Sequence, residues 1–274
     1  MNVLIFGAKG YLGQYFLSMY PHAVTPSVDI ANAVDVAAVL DTHKPDVVIN
    51  CAGRTGRPNV DWCEDHKIET LHSNVLGPLV LLEECGKRNI YWVHIGTGCV
   101  YSGDSTTPFT ETDAPNFEGS FYSRTKGHID QILNDFQDEV LNVRLRMPFD
   151  GTKNERNLIT KIAKYTRLLD TENSMSYIPD LLNAVDALIQ KKATGPYNVV
   201  NPGAMSPYKI MSLYKEIVDP NHTFELLKEE DLPQVATAGR SNCILSANKL
   251  KQEGVTMRPV EEAVREALES LKLQ

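Results

Sequence analysis

The apolar run Val3-Leu4-Ile5-Phe6, followed at once by Gly7-Ala8-Lys9-Gly10-Tyr11-Leu12-Gly13, constrains the fold more than any other stretch of the chain. The run reads as a strand buried on both faces, and the Leu12, Tyr15, Phe16, Met19 spacing after it reads as a helix with one apolar stripe. Between them stands a GxxGxxG turn. Glycines there let the backbone turn tightly, let amides approach a pyrophosphate and let the helix pack close to the strand, while the helix N-terminus favours phosphate charge. Glycines also mark plain turns, so the strand before and the helix after give the nucleotide reading its weight.

The same alternation of β-branched runs and helical periods continues through Val47-Val48-Ile49, Ile90 to Ile95 and Val140 to Leu145. This is the pattern of βαβ units and predicts an α/β fold, a Rossmann-type doubly wound parallel sheet. Ile68, Leu71, Val75, Leu79 and Leu82 predict a second sheet-facing helix stripe. After Pro148 the alternation breaks down into a loop, a helix around Leu158 to Tyr165, a helix over Leu181 to Gln190 and a strand at Tyr197 to Val200. The expected organisation is a nucleotide-binding domain over residues 1–147, rejoined by 179–203, and a smaller C-terminal substrate-binding lobe drawn mainly from 148–274. That lobe ends in an amphipathic helix opened by Pro259. Two lobes imply a cleft, the ordinary place for a substrate.

Composition removes several classes. With 274 residues, 42% apolar and 23% charged, the chain can bury a sizeable core. A net charge of −8 without any Lys/Arg run argues against nucleic acid or an anionic membrane as partner. Cys51, Cys63, Cys85, Cys99 and Cys243 include no CxxC pair and lack spaced histidines, so reduced thiols and no metal are expected. Val3 to Phe6 is far too short for a signal-peptide core, and the expected location is cytoplasmic.

An acidic residue ending the second strand would favour NAD by gripping the ribose hydroxyls. His22 to Ser27 holds none before Asp29, whereas Lys9 sits in the glycine loop, where its ammonium could meet a 2′-phosphate. NADP(H) is therefore the expected cofactor; a solvated surface lysine is the plainer reading of Lys9. Further on, Tyr122-Ser123-Arg124-Thr125-Lys126 begins a helix whose stripe continues through Ile129, Leu133 and Phe136, so Tyr122 and Lys126 share a face. A nearby ammonium lowers a phenol pKa from about 10, which suits the phenol to protonating a carbonyl oxygen during hydride delivery. YxxxK is frequent by chance, but here it lies downstream of a strand ending in His94-Ile95-Gly96-Thr97-Gly98-Cys99, which sets the Thr97 hydroxyl at a carboxyl end, where open α/β sheets bind ligands.

With GAKGYLG, Asn50-Cys51-Ala52-Gly53, Asn74, Thr97 and YSRTK in place, the chain resembles the extended short-chain dehydrogenase/reductase family from the glycine motif to the final helix. The resemblance implies that Thr97 helps bind a carbonyl oxygen, that Tyr122 is the acid, and that Lys126 tunes Tyr122 and holds the nicotinamide ribose. It implies a cofactor site built from Gly7, Lys9, Gly10, Tyr11, Leu12, Gly13, Cys51, Ala52, Gly53, Tyr122, Lys126 and Met147.

A narrower resemblance is to the nucleotide-rhamnose synthases, epimerase/reductases of a UDP-linked 4-keto-6-deoxy sugar, and to the dTDP-4-dehydrorhamnose reductases. It is carried by Thr55 to Glu64 (TGRPNVDWCE), Thr97 to Tyr101 (TGCVY), Pro115 to Lys126 (PNFEGSFYSRTK), Arg146 to Pro148 (RMP), Arg156 to Ile162 (RNLITKI), Asn201 to Gly203 (NPG) and Gly239 to Asn242 (GRSN). The stretch between Tyr101 and Pro115 is shorter than in that family. The resemblance puts an epimerase acid/base role on Cys99 and the opposing role on Lys161. From the residues alone, Cys99 reads as a packing cysteine and Lys161 as a solvated helix residue. Asn59, Thr97, Asn157 and Arg240 are the expected substrate contacts, Arg240 as a fork for a diphosphate; a surface salt bridge is the plainer reading of Arg240, and Asn59 and Asp61 also fit a structured loop. Trp62 and Trp92 read as core aromatics. The expected partner is a UDP- or dTDP-linked 4-keto-6-deoxy sugar, with a homodimer as the expected assembly. Three activities fit: a bifunctional 3,5-epimerase/4-reductase, a plain 4-reductase, and a non-catalytic NADP(H)-binding protein.

Overall fold

The computed structural model describes residues 1–103 and 106–274. In chain order the elements are β1 (Val3–Phe6), α1 (Tyr11–Met19), α2 (Ala33–His43), β2 (Val47–Asn50), α3 (Trp62–Asp65), α4 (Lys67–Leu71), a π-helical turn (His72–Leu76), α5 (Gly77–Gly86), β3 (Tyr91–Ile95), α6 (Phe121–Asp135) and β4 (Val140–Arg144). They continue as α7 (Leu158–Ile162), β5 (Arg167–Leu168), β6 (Asn173–Met175), α8 (Ile178–Gln190), β7 (Gly195–Asn198), β8 (Asn201–Met205), α9 (Pro207–Ile217), β9 (Glu225–Leu226), a 3-10 turn (Glu229–Gln234), α10 (Asn248–Gln252) and α11 (Val260–Lys272). Of the shortened stretch between Tyr101 and Pro115, Asp104 and Ser105 lie outside the described residues. Among the described residues no helix is long and apolar enough to cross a membrane.

The main sheet is parallel throughout, in the order β1-β2-β3-β4-β7. Its helices lie on both faces. On one side Val3, Ile5, Ile49, Val93 and Val143 pack against Phe16 of α1 and Leu181, Val185 and Leu188 of α8. On the other, Leu4, Phe6, Val48 and Trp92 meet Val36 and Leu40 of α2, Leu81 of α5, and Ile129 and Leu133 of α6. A further cluster unites Ile159 and Ile162 of α7, Met175 of β6, Met205 of β8, Ile210 and Met211 of α9, and the Val260, Val264, Leu268, Leu271 stripe of α11.

Beyond β1, Val24 pairs with Leu4 in a single parallel bridge, its amide donating to Val3 O at 2.8 Å. The chain thus leaves β1 in one direction toward Val24 and returns on the other side as β2. That reversal opens a crevice at the carboxyl ends of β1 and β2, which is where such sheets take ligands.

Three expectations change. The Ile68, Leu71, Val75, Leu79, Leu82 stripe faces the sheet only in its second half: Leu79 and Leu82 pack on the core, whereas Ile68 is 76% and Leu71 46% exposed and Thr70 and Asn74 are buried instead. The π-helical turn adds a residue to the helical repeat and rotates the buried face away from the one a constant 3.6 period predicts. The last strand of the main sheet runs over Gly195–Asn198, two residues earlier than expected. The strands are also less purely apolar than their runs suggest, because Asn50, His94, Asn142, Arg144 and Asn198 are all buried in them.

Candidate active site

The glycine turn closes on itself, Gly10 N donating to Gly7 O at 2.9 Å, with Gly7 in the left-handed region at φ 75°. A Cβ on Gly7 would stand 2.5 Å from Ala52 N, so this residue sets how closely the β1 turn approaches the segment after β2. Gly10 occupies the N-cap of α1 and supplies no side-chain cap, which leaves the first amides of the helix available to an anion. Among the described residues Tyr11 Oη is buried without a hydrogen-bond partner, and Lys9 is exposed at the rim. Across the crevice, Asn74 on the π-helical turn receives Arg54 N at 2.7 Å and donates to Arg54 O at 2.9 Å, pinning the loop after Gly53. Met147, three residues past the end of β4, has φ 42°, a conformation unusual outside glycine. An uncapped helix start, a turn in which Gly7 and Gly13 admit no side chain and a crevice at the strand reversal fit a dinucleotide.

Ser120 caps α6, its Oγ accepting from Ser123 N at 3.0 Å, and so fixes Tyr122 in the first turn and Lys126 one turn on. Tyr122 is 9% exposed and its phenol hydrogen-bonds to Thr97, whose Oγ1 also accepts from Cys99 N at 3.1 Å. Burial and then the Cys99 sulfur push the Tyr122 phenol well up, and the Thr97 hydrogen bond offsets only part of this. The expected lowering by Lys126 is not present. Lys126 instead reaches β3, 3.1 Å from His94 Nε2 and donating to Ile95 O at 3.3 Å. Burial brings the Lys126 ammonium down to about 8, against an opposing pull from Asp130.

Cys99 Sγ accepts from Arg146 Nη1 at 3.4 Å. Arg146, 1% exposed, is otherwise held by neutral acceptors: Gly98 O, Asn173 Oδ1, and Ser241 O and Oγ. Four chain segments therefore meet around the thiol, and GRSN contributes through Ser241. Lys161 lies half-buried with no hydrogen bond among the described residues, lowered first by burial and then by the charges of Arg156 and Arg240.

The expected substrate residues divide. Arg240 pairs with Asp61 at 2.9 Å and donates to Ala238 O at 2.7 Å, the salt bridge of its plainer reading, yet it stays beside Lys161. Asn59 accepts from Asp61 N at 2.8 Å within a turn. Asn157 is corrected: fully buried, it caps α7 and donates to Asp150 O and Thr152 O at 2.9 and 2.7 Å, leaving no group for a substrate. Trp62 is corrected too, standing half-buried in a stack on His66 with 3.9 Å between centroids; Trp92 is in the core, 1% exposed.

Sequence reasoning missed the charge around Arg54, Arg57 and Arg156, which with Gly53 and Trp62 line a cavity of about 220 Å³. Arg156 donates to Thr55 Oγ1 at 3.0 Å and to Gly56 O at 2.9 Å, tying the entry to α7 to the loop after β2. Its signal was already present in RNLITKI and TGRPNVDWCE, but as two strings a hundred residues apart.

The family model described as the RmlD substrate binding domain matches residues 1–273. The chain is 37% identical over 274 residues to the Arabidopsis thaliana protein named bifunctional dTDP-4-dehydrorhamnose 3,5-epimerase/dTDP-4-dehydrorhamnose reductase, covering 96% of this chain and 91% of that one. It is 36% identical over 279 residues to an A. thaliana trifunctional UDP-glucose 4,6-dehydratase/UDP-4-keto-6-deoxy-D-glucose 3,5-epimerase/UDP-4-keto-L-rhamnose-reductase, covering 96% of this chain but only 41% of that longer protein. The crystal structure of a UDP-rhamnose synthase from Acanthamoeba polyphaga mimivirus superposes with a TM-score of 0.93 at 33% identity, over 98% of this chain and 99% of that one.

Proposed function

Because the chain belongs to the RmlD substrate-binding-domain family, we propose that it is an NADP(H)-dependent 3,5-epimerase/4-reductase that turns UDP-4-keto-6-deoxy-glucose into UDP-L-rhamnose. The observation that carries this reading is the convergence of Thr97, Cys99 and Tyr122, a hydroxyl, a thiol and a protonated phenol, in one wall of the cleft. The names of the relatives include both UDP and dTDP sugars; UDP is the nucleotide we propose.

The dinucleotide would be held by Gly7, Lys9, Gly10, Tyr11, Leu12 and Gly13 on one wall and by Cys51, Ala52, Gly53 and Met147 on the other, with Tyr122 and Lys126 at its reactive end. When bound, it supplies the hydride that reduces the ketone. Thr97 and Tyr122 hold the carbonyl oxygen and stabilise the negative charge it gains, first when a flanking proton leaves and again on reduction. Cys99 and Lys161 exchange the protons of the two flanking carbons from opposite faces. A lysine lowered by burial and two arginines is a better proton donor than an exposed one. Tyr122 then gives its proton to the alkoxide oxygen. Arg156 and Arg240 bring positive charge to the same side, where the sugar's diphosphate would lie. All five cysteines are unpaired, in keeping with the cytoplasm as the proposed location.

The reading is tested by NADPH oxidation on adding UDP-4-keto-6-deoxy-glucose. Turnover supports an enzyme; NADPH binding without turnover of this or any pre-epimerised 4-keto sugar nucleotide would leave only a binding protein. Cofactor choice gives a separate prediction. With Lys9 exposed in the glycine loop and no carboxylate between Val24 and Asp29, NADPH is expected to bind more tightly than NADH. Lys9→Ala is expected to weaken NADPH about tenfold, the scale of one charge-assisted hydrogen bond, and to leave NADH unchanged. Titration of both dinucleotides decides it, and equal affinities in the wild type would contradict the assignment.

A further inference from the structure

Sheet register sets Asn50 of β2 beside His94 of β3, and His94 beside Asn142 of β4, all three buried under α6. The hydrogens of this row can be placed by elimination. Ala52 N donates to Asn50 Oδ1 at 3.0 Å, so the other end of that amide, Nδ2, is a donor and faces His94 Nδ1 at 3.2 Å. A ring nitrogen that accepts carries no hydrogen, and complete burial holds the imidazole well below its ordinary value and so neutral. Its one proton therefore sits on Nε2, 3.1 Å from Lys126 Nζ. An ammonium has three hydrogens and no lone pair to receive that proton, whereas a free amine has one lone pair and can still donate to Ile95 O.

We propose that His94, oriented by Asn50, favours the free-amine form of Lys126 in the free protein, so that at alkaline pH cofactor binding brings about one proton onto Lys126. The proposal rests on the cofactor reading above and adds His94 and Asn50 as positioning residues. The other groups facing Lys126 do not supply a free counter-charge. Asp130, one turn along α6, is engaged through both oxygens by Arg144 of β4 at 2.9 and 2.7 Å, and Tyr122, one turn back, is a neutral phenol. Ribose hydroxyl oxygens are acceptors suited to an ammonium, so binding exchanges a donor facing Lys126 for acceptors. At alkaline pH Tyr122 consequently gains a full neighbouring positive charge only in the loaded protein.

Calorimetric titration with NADPH at pH 9, in buffers of different ionisation enthalpy, reads the proton directly. With Lys126 near 8 in the free protein, uptake of about 0.9 proton is expected for the wild type. Uptake should vanish in Lys126→Met and fall toward zero in His94→Gln, whose side-chain oxygen accepts from an ammonium in the free protein. NADPH binding with no proton uptake in the wild type would overturn the proposal; absence of NADPH binding would count against the cofactor reading instead. A measurement that needs neither cofactor nor variant is the ¹⁵N spectrum of His94 in the free wild-type protein: a proton on Nε2 is expected, and one on Nδ1 would refute the arrangement.

Discussion

Tyr122→Phe is expected to lower the rate of ketone reduction by roughly two to four orders of magnitude, the usual worth of a positioned general acid, while NADPH binds nearly as before. The ring of Tyr122 is buried against the cleft wall, so phenylalanine fills the same space and only the proton donor is lost. Thr97 remains to hold the carbonyl oxygen, which is why a residual rate should survive. Because burial and Cys99 push the phenol up rather than down, the acid stays protonated through the neutral range in the free protein. Turnover assays with parallel NADPH titration check both halves. Reduction at the wild-type rate by Tyr122→Phe would remove Tyr122 from the reaction.

Cys99→Ser is expected to slow exchange of the C3 and C5 protons of the 4-keto sugar nucleotide by a similar two to four orders of magnitude. Serine keeps the size and can still accept from Arg146, so the packing around Gly98, Asn173 and Ser241 is preserved. What changes is the chemistry, since an alcohol is a far poorer acid/base group near neutral pH than a thiol, whose ordinary pKa is about 8.5. The measurement is loss of the C3 and C5 proton signals in deuterium oxide with NADP⁺ present. The same variant should reduce an already epimerised ketone normally, because Thr97, Tyr122 and Lys126 stand unchanged. Loss of both activities together would mean that Cys99 supports the site as a whole.

Features written within one element were legible in the sequence. The β1 run, the glycine turn and α1 are consecutive, and Tyr122 and Lys126 are one helical turn apart, so local periodicity places them without knowledge of the rest. Features that depend on register or on distant segments were not. Asn50, His94 and Asn142 form one row only because β2, β3 and β4 pair in parallel at those positions. In the sequence they look like isolated polar residues in apolar runs. Helical period puts Lys126 on the face of Tyr122, but its observed partner, His94, stands on a separate strand that local periodicity does not reach. Arg146 reaches Cys99 from another strand, and Arg240 finds Asp61 from 179 residues away. Asn157 differs for another reason: within RNLITKI it reads as a binding residue, whereas its position directly before α7 is that of a helix cap. The π-helical turn, invisible to a fixed 3.6 period, displaced the buried face of the helix before β3.

The most direct test of the two-activity reading is the product formed from UDP-4-keto-6-deoxy-glucose and NADPH in deuterium oxide by this chain alone. Proton movement at C3 and C5 draws on solvent, whereas the hydrogen delivered to C4 comes from the cofactor. The expected product is UDP-L-rhamnose with deuterium at C3 and C5 and ordinary hydrogen at C4, read by NMR and mass spectrometry. A 6-deoxy sugar nucleotide with unchanged configuration and no deuterium at C3 and C5 would contradict the account and leave a plain 4-reductase in its place.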